Sequence, residues 1–364
     1  MKHLILILLL LPAITNGQKS QKKILMVVSS YGKDMGKTRP GFEMDEFSQA
    51  YLIFQANGLQ IEVASPKGGK VESSSFNKEK IYNKLILNDK NALKLLGDTK
   101  TTTSIKIKDY DAIYIVGGKG PMFDLVVDAS LQDILLEFYK QKKVISAVCH
   151  GTVALVHVKE QNKYIVENQE VTGYCNEEEK MFGKENSEFP FLLEDKLIAR
   201  KAKYKKGDAM LPYICVSGKI ITGQNPYSTT LVAEEIVKSL GLNPVPRKFY
   251  NDEMSMQLVK RAIAGEIDWA KKELSENKDM YDLQLIAVYG YYRSLHAKGN
   301  KENIQLGINI MELAMPYYYH KELQYAYAQS YIDLGDKIKA KEILEKLIQK
   351  EPAFEEAKKL LKEL

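Results

Sequence analysis

Residues 144–151 read Val144-Ile-Ser-Ala-Val-Cys-His-Gly151, and the fold turns on how this stretch is read. Its β-branched, apolar start predicts a short buried strand. The run stops at Cys149-His150-Gly151, and Val153, Ala154 and Val156 then follow at helical spacing. Strand, tight turn and helix is the layout that lifts a nucleophile out of a sheet. A thiol there would face the positive end of a helix and its unpaired N–H groups, which lowers its pKa and stabilises an anion. An ionised, oxidation-prone Cys149 is therefore expected, with Gly151 letting the helix pack close to the strand. The competing reading is a core cysteine, because free cysteine is among the most buried residue types.

Working outward, residues 24–28, 59–64 and 112–116 are short apolar runs, the last followed by Gly117-Gly118. Residues 43–57 and 131–139 have helical periodicity. Short apolar strands separated by helices predict an α/β fold, a flavodoxin-like parallel sheet sandwiched by helices. Sites in such folds lie at the C-terminal strand ends, where Cys149 and Gly117-Gly118 both fall. Residues 70–103 read as a polar, partly helical insertion without an assigned role.

Asn243-Pro-Val-Pro-Arg247 marks a boundary, beyond which the pattern is wholly helical. Tyr327, Ala328, Tyr331, Gly335, Asp336, Ala340, Leu344, Leu347 and Pro352 fall at tetratricopeptide offsets. Gly335 precedes Pro352 by seventeen residues, and Gly299 precedes Pro316 by the same interval. A weaker copy holds Gly265, Ala270 and Leu274. The expected division is a signal peptide over 1–17, an α/β domain over 18–245 and a separable tetratricopeptide-like helical domain over 246–364. Ten of the 22 tyrosines lie between Tyr281 and Tyr331. They either pack the repeat core or line a groove for a protein or peptide partner.

The chain has 364 residues, 45% of them hydrophobic, 27% charged, with a net charge of +5. That is globular composition with room for two domains. No basic stripe with interleaved aromatics occurs, which argues against nucleic acid as a partner. Lys2 and the apolar run 4–11, followed by small residues Thr15 and Gly17, predict cleavage before Gln18 and export to a periplasm or the medium. Eight apolar residues are too few to span a bilayer, so no stable membrane insertion is expected. Cys149, Cys175 and Cys215 are the three cysteines. This is not a disulfide framework, and at least one thiol stays unpaired.

Five ordered motifs carry a resemblance. Ala147-Val-Cys-His-Gly151, Gly117-Gly-Lys-Gly-Pro-Met-Phe-Asp124, Gly41-Phe-Glu-Met-Asp-Glu46, Val171-Thr-Gly-Tyr-Cys-Asn-Glu-Glu-Glu179 and Ile221-Thr-Gly-Gln-Asn-Pro226 resemble the ThiJ/PfpI superfamily, within the class I glutamine amidotransferase-like fold. The heat-shock chaperone and glyoxalase III type is the most similar subgroup. The resemblance spans about residues 23–241 and excludes the repeats. It implies Cys149 as nucleophile, Glu46 as the carboxyl bonded to its sulfur, and His150 as proton shuttle. Backbone N–H groups of Gly118 and His150 would form an oxyanion hole. The family offset points to Glu179 as the acid that orients His150, with Glu177 and Glu178 as close competitors. Gly117, Lys119 and Cys175 are pocket candidates. Lys119 stands where the family usually has histidine, and Cys175 where it usually has Ser or Thr. Either Cys175 is inert or it pairs with Cys149 on oxidation.

Neighbouring side chains on a tight turn diverge, so Cys149 and His150 are not expected to share a metal. His157, His296 and His320 lack partners at ligand spacing. No metal or cofactor is expected. The functional expectation is a cofactor-independent glyoxalase III-like enzyme of the D-lactate dehydratase class, acting on a small carbonyl such as methylglyoxal. A cysteine peptidase or amidase and an exported chaperone or interaction protein are the alternatives. Dimers are common in the family, and a homodimer is the implied assembly.

Overall fold

In the computed structural model, which describes residues 21–182 and 188–364, the chain begins β1 (Lys23–Val27), α1 (Met44–Ala56), β2 (Gln60–Ser65), α2 (Ile81–Asn88), α3 (Lys90–Gly97), β3 (Lys100–Thr101). It continues β4 (Ala112–Ile115), α4 (Ala129–Lys140), β5 (Val144–Val148). Short ribbons β6 (Lys159–Glu160), β7 (Lys163–Tyr164), β8 (Glu170–Val171) and β9 (Lys203–Tyr204) bracket α5 (Asn176–Phe182) and α6 (Leu193–Ala199). β10 (Ile214–Ser217), β11 (Ile220–Gly223) and α7 (Thr229–Ser239) complete the α/β part. The expected signal peptide lies outside the described residues.

Seven strands form one sheet in the order β10-β11-β5-β4-β1-β2-β3. All neighbours are parallel except β10, which pairs antiparallel with β11. Strand periodicity divides the side chains between two cores. Ile24, Met26, Tyr114, Val144 and Val148 face α1 and α7, against Phe47, Phe54 and Ile236. Leu25, Val27, Ile113, Ile115, Ile145 and Ala147 face α4 and α6, against Leu131, Leu135, Phe138 and Leu193. A parallel sheet buried on both faces explains why these strands read as continuous apolar runs. The polar insertion over 70–103 forms α2, α3 and the edge strand β3, and buries Tyr82, Ile86 and Ala92.

The elbow departs from expectation. No α-helix follows β5: Cys149–Leu155 is a seven-residue 3-10 segment, buried throughout. Its apolar residues fill the second core.

Beyond Arg247 the described residues are helical: α8 (Asn251–Ile263), α9 (Ile267–Asn277), α10 (Leu283–Leu295), α11 (Lys301–Ala314), α12 (Lys321–Leu334), α13 (Lys337–Lys350) and α14 (Glu355–Glu363). The first six pair as three antiparallel hairpins, with Gly265, Gly299 and Gly335 at left-handed φ of 102°, 79° and 91° between the members of each pair. The sequence picks out the same three glycines. The tyrosines divide: Tyr281, Tyr289 and Tyr327 are buried in the helical core, whereas Tyr291, Tyr292, Tyr318 and Tyr325 line a groove of about 500 Å³. That core also takes in Met210 and Leu211 from the α/β part, with Phe182 and Tyr227 packed on it. No helix of the described residues is long and apolar enough to cross a membrane.

Candidate active site

The C-terminal ends of β1, β4 and β5 converge on one cleft, as parallel-sheet geometry dictates. Two loops close it and are zipped by backbone hydrogen bonds: Glu43 N–H to the Gly117 carbonyl at 3.0 Å and Gly120 N–H to the Gly41 carbonyl at 3.0 Å. The cleft holds about 360 Å³ and is lined by Lys37, Glu43, Gly118, Lys119, Cys149, His150 and Tyr174, among others.

Cys149 follows directly on β5 at a φ of +56°. A non-glycine residue in the left-handed region is strained by about 1–2 kcal/mol. The strain turns its side chain back over the following residue. Its Sγ lies 3.5 Å from His150 Nδ1, so the expectation that the two side chains diverge is corrected. His150 Nε2 lies 2.6 Å from Glu179 Oε1, with both side chains buried. A carboxylate on Nε2 favours the tautomer with its proton there, leaving Nδ1 to accept from the thiol. Tyr174 lies against the imidazole with ring centroids 4.4 Å apart, and Phe189 meets it edge-on at 5.5 Å.

Glu46 approaches from the other side. It sits in the first turn of α1, completely buried. Its Oε2 accepts the Gly117 N–H at 2.6 Å, and the carboxyl lies against the Cys149 thiol. Burial raises the Glu46 pKa well above the ordinary carboxylate value, and the neighbouring Glu43 adds to the effect. The Cys149 thiol is also pushed up, first by burial and then by the charge of Glu46, against backbone N–H groups of His150 and Gly118 that stabilise the thiolate. These surroundings work against the ionised resting thiol expected from helix polarity. No α-helix stands behind it, and desolvation outweighs two N–H groups. With Glu46 protonated its repulsion vanishes, and the carboxyl can donate to sulfur.

The Glu177–Glu179 run separates by environment. Glu179 faces His150. Glu178 is buried and structural, accepting from Cys175 N–H, Met210 N–H and Asn225 Nδ2 at 3.2, 2.9 and 2.8 Å. Glu177 is exposed and reaches Lys206 at 3.4 Å. Gly118 and His150 present their backbone N–H groups to Sγ, where they stabilise the thiolate. Gly118 has a φ of +89°, and a Cβ there would sit 2.5 Å from Glu43 N, so only glycine fits. Lys119 lines the cleft. Two pocket candidates do not line it. Gly117 instead holds Glu46, and Cys175 is wholly buried behind the wall, its Sγ near Gln224 Nε2 at 3.9 Å. All three cysteines are free thiols. Among the described residues no cluster of His, Cys, Asp or Glu could hold a metal.

Glu43 was not singled out from sequence. It caps α1 by accepting Asp45 N–H at 3.4 Å, and its carboxyl is raised from 4.5 to about 7, by burial first and then by Asp45. Its position three residues before Glu46, at a helix N-cap, was the available signal.

Comparison with known proteins agrees with this geometry. Residues 37–239 match the DJ-1/PfpI family. The glutathione-independent glyoxalase hsp3102 of Schizosaccharomyces pombe is 31% identical over 235 residues, 60% of this chain and 98% of that protein. The Rapid Encystment Protein 24 KDa of Francisella tularensis superposes with a TM-score of 0.57 at 35% identity, over 60% of this chain and 99% of that one. Glyoxalase III of Candida albicans shares the fold, with a TM-score of 0.55 at 21% identity, over 60% of this chain and 97% of that one. The helical region lies beyond the matched residues. From its sheet order, its elbow cysteine and these matches, the chain belongs to the DJ-1/PfpI family.

Proposed function

We propose that this protein is a glyoxalase III-like enzyme that converts methylglyoxal, or a related small 2-oxoaldehyde, to a 2-hydroxy acid without glutathione or metal. The observation that carries the reading is a thiol held between a protonatable carboxyl, Glu46, and a carboxylate-oriented imidazole, His150–Glu179. Cys149 Sγ adds to the aldehyde carbon while its proton passes to His150, and the resulting hemithioacetal oxygen faces the N–H groups of Gly118 and His150. Glu46 and His150 move the proton from the former aldehyde carbon to the neighbouring carbon through an enediol. The product is a thioester of Cys149. Water hydrolyses it, releasing the 2-hydroxy acid and restoring the thiol.

Cys149 is only 3% exposed. So little exposed surface suits a small aldehyde better than a backbone carbonyl flanked by polypeptide, which favours this reading over a peptidase. The glyoxalase names of the relatives support it independently. We read the three hairpins as degenerate tetratricopeptide repeats followed by a terminal helix, and the protein as exported through its N-terminal apolar run.

Purified protein given methylglyoxal, with no added glutathione and with chelator present, should yield lactate, and Cys149→Ala should abolish turnover. Equal background rates in wild type and Cys149→Ala would remove the glyoxalase reading. Peptide hydrolysis by the wild type would then favour the hydrolase alternative.

A further inference from the structure

The domain contact reaches the first turn of α1. Asp252, in the first turn of α8, has a side chain only 6% exposed. Its Oδ2 accepts the Tyr82 hydroxyl at 2.7 Å and lies 3.5 Å from Lys80 Nζ. The same hydroxyl and ammonium meet Asp45 Oδ2 at 3.0 and 2.6 Å, and Asn83 Nδ2 holds Asp45 Oδ1 at 2.6 Å. One ammonium and one hydroxyl thus bridge two carboxylates from different domains, with Tyr82 wholly buried. Asp45 stands between Glu43, which lines the cleft, and Glu46, which lies on the Cys149 thiol.

The opposite wall repeats the design. Met210 and Leu211 belong to the helical core. Met210 N–H and Asn225 Nδ2 hold Glu178, and Asn225 also bonds the Leu211 carbonyl at 2.8 Å. Glu178 is the residue before Glu179. Each carboxyl beside the thiol site therefore adjoins a carboxyl tied to elements that touch the helical domain.

We propose that Lys80 and Tyr82, gripped by Asp252 of the helical domain, are positioning residues for the thiol site: they hold Asp45, and with it the turn that carries Glu43 and Glu46. The helical domain is by this account part of the active-site scaffold. The inference rests on Cys149 being the reactive group of the proposed function, not on the identity of its substrate.

The charges around the bridge set the sign of its effect. On α1 these are Asp45, Glu43 and Glu46; on the α2 side, Lys80 and Tyr82; from α8, Asp252 and Glu253. Tyr227 and Asp282 face it from the remaining elements. Lys80 is the cation among them. It draws the Glu43 carboxyl down, whereas Asp45 pushes both site carboxyls up. Removing Lys80 makes the surroundings of the thiol more negative and disfavours the thiolate. Removing the charge of Asp252 makes those surroundings less negative and favours it.

The test uses the full-length protein. The rate of iodoacetamide alkylation at Cys149, read by mass spectrometry of its peptide, is followed against pH. Lys80→Met should move the profile up by about half a pH unit or more, and Lys80→Arg should restore it. Asp252→Asn should move it down. Opposite shifts from two residues outside the cleft are what a mere fastener would not produce. If both variants lower the thermal midpoint and leave the profile in place, the proposal is overturned. Should Lys80→Met fail to fold, Asp252→Asn decides alone, and an unmoved profile sinks it. Alkylation needs no substrate, so shifted profiles in a protein that does not turn over methylglyoxal would reject the glyoxalase reading and keep this one.

Discussion

At the scale of single residues, the site is governed by desolvation. Glu43, Glu46 and Cys149 are all pushed toward their neutral forms, and Glu43 reaches the physiological range at about 7. The folded state therefore binds the Glu43 proton more tightly than the unfolded chain does. Its contribution to stability is full below the ordinary value of 4.5 and is lost as pH rises through about 7. Glu43→Gln should remove that slope, so that the variant gains on wild type between pH 5 and pH 8 in urea titrations. It should also erase any step near pH 7 in the turnover profile; a step that persists assigns it to another group. Glu46→Gln keeps the shape but cannot carry the proton, and kcat should fall by about 100- to 10,000-fold. Glu179→Ala leaves His150 Nε2 buried without its acceptor. It should cost about 1–3 kcal/mol of stability in urea titrations and slow turnover similarly.

At the scale of elements, the glycine loop and the elbow form one unit. Gly118 at φ +89° carries an N–H to the Cys149 sulfur while its missing Cβ leaves room for Glu43 N. Gly118→Ala forces the loop away from α1. Turnover should drop by about 100-fold or more, the size of a lost oxyanion donor, measured against unchanged secondary structure in circular dichroism. The elbow itself shows why period alone misleads. Val153, Ala154 and Val156 repeat at helical spacing, yet the chain makes a 3-10 segment because its residues fill the core under α4 and α6 rather than covering it from outside.

At the scale of the whole molecule, the sheet and the helical hairpins share surface. Met210 and Leu211 are buried in the helical core, and Tyr227 packs on it. Arg247 adds a clamp, pairing with Glu253 of α8 at 2.7 Å and Glu234 of α7 at 2.9 Å. A chain ending at residue 247 would expose that apolar surface and strip Lys80 and Tyr82 of Asp252. It should melt several degrees below the full-length protein and bind a hydrophobic dye, because a loss of about 1 kcal/mol moves a domain of this size by roughly 2–4 °C. An unchanged melting temperature would show the hairpins to be only appended.

What the sequence determined by itself was everything that local pattern encodes. Apolar runs of strand length, the Gly117-Gly118 and Cys149-His150-Gly151 turns, and Gly265, Gly299 and Gly335 between helices each follow from the backbone preference of a few adjacent residues. They were sufficient to mark four strands of the sheet, the strand ends that form the cleft and the three hairpins, but not the edge strand β3 or the antiparallel pair β10–β11. Tertiary structure alone decided the rest. Which of three consecutive glutamates meets His150 depends on how α5 docks. Whether Cys149 and His150 converge depends on a strained φ that two loops impose. Whether the thiol is ionised depends on burial, which sums over the whole site rather than residing in any motif. The bridge from Asp252 to Asp45 joins residues far apart in the chain, and only packing brings such charges together.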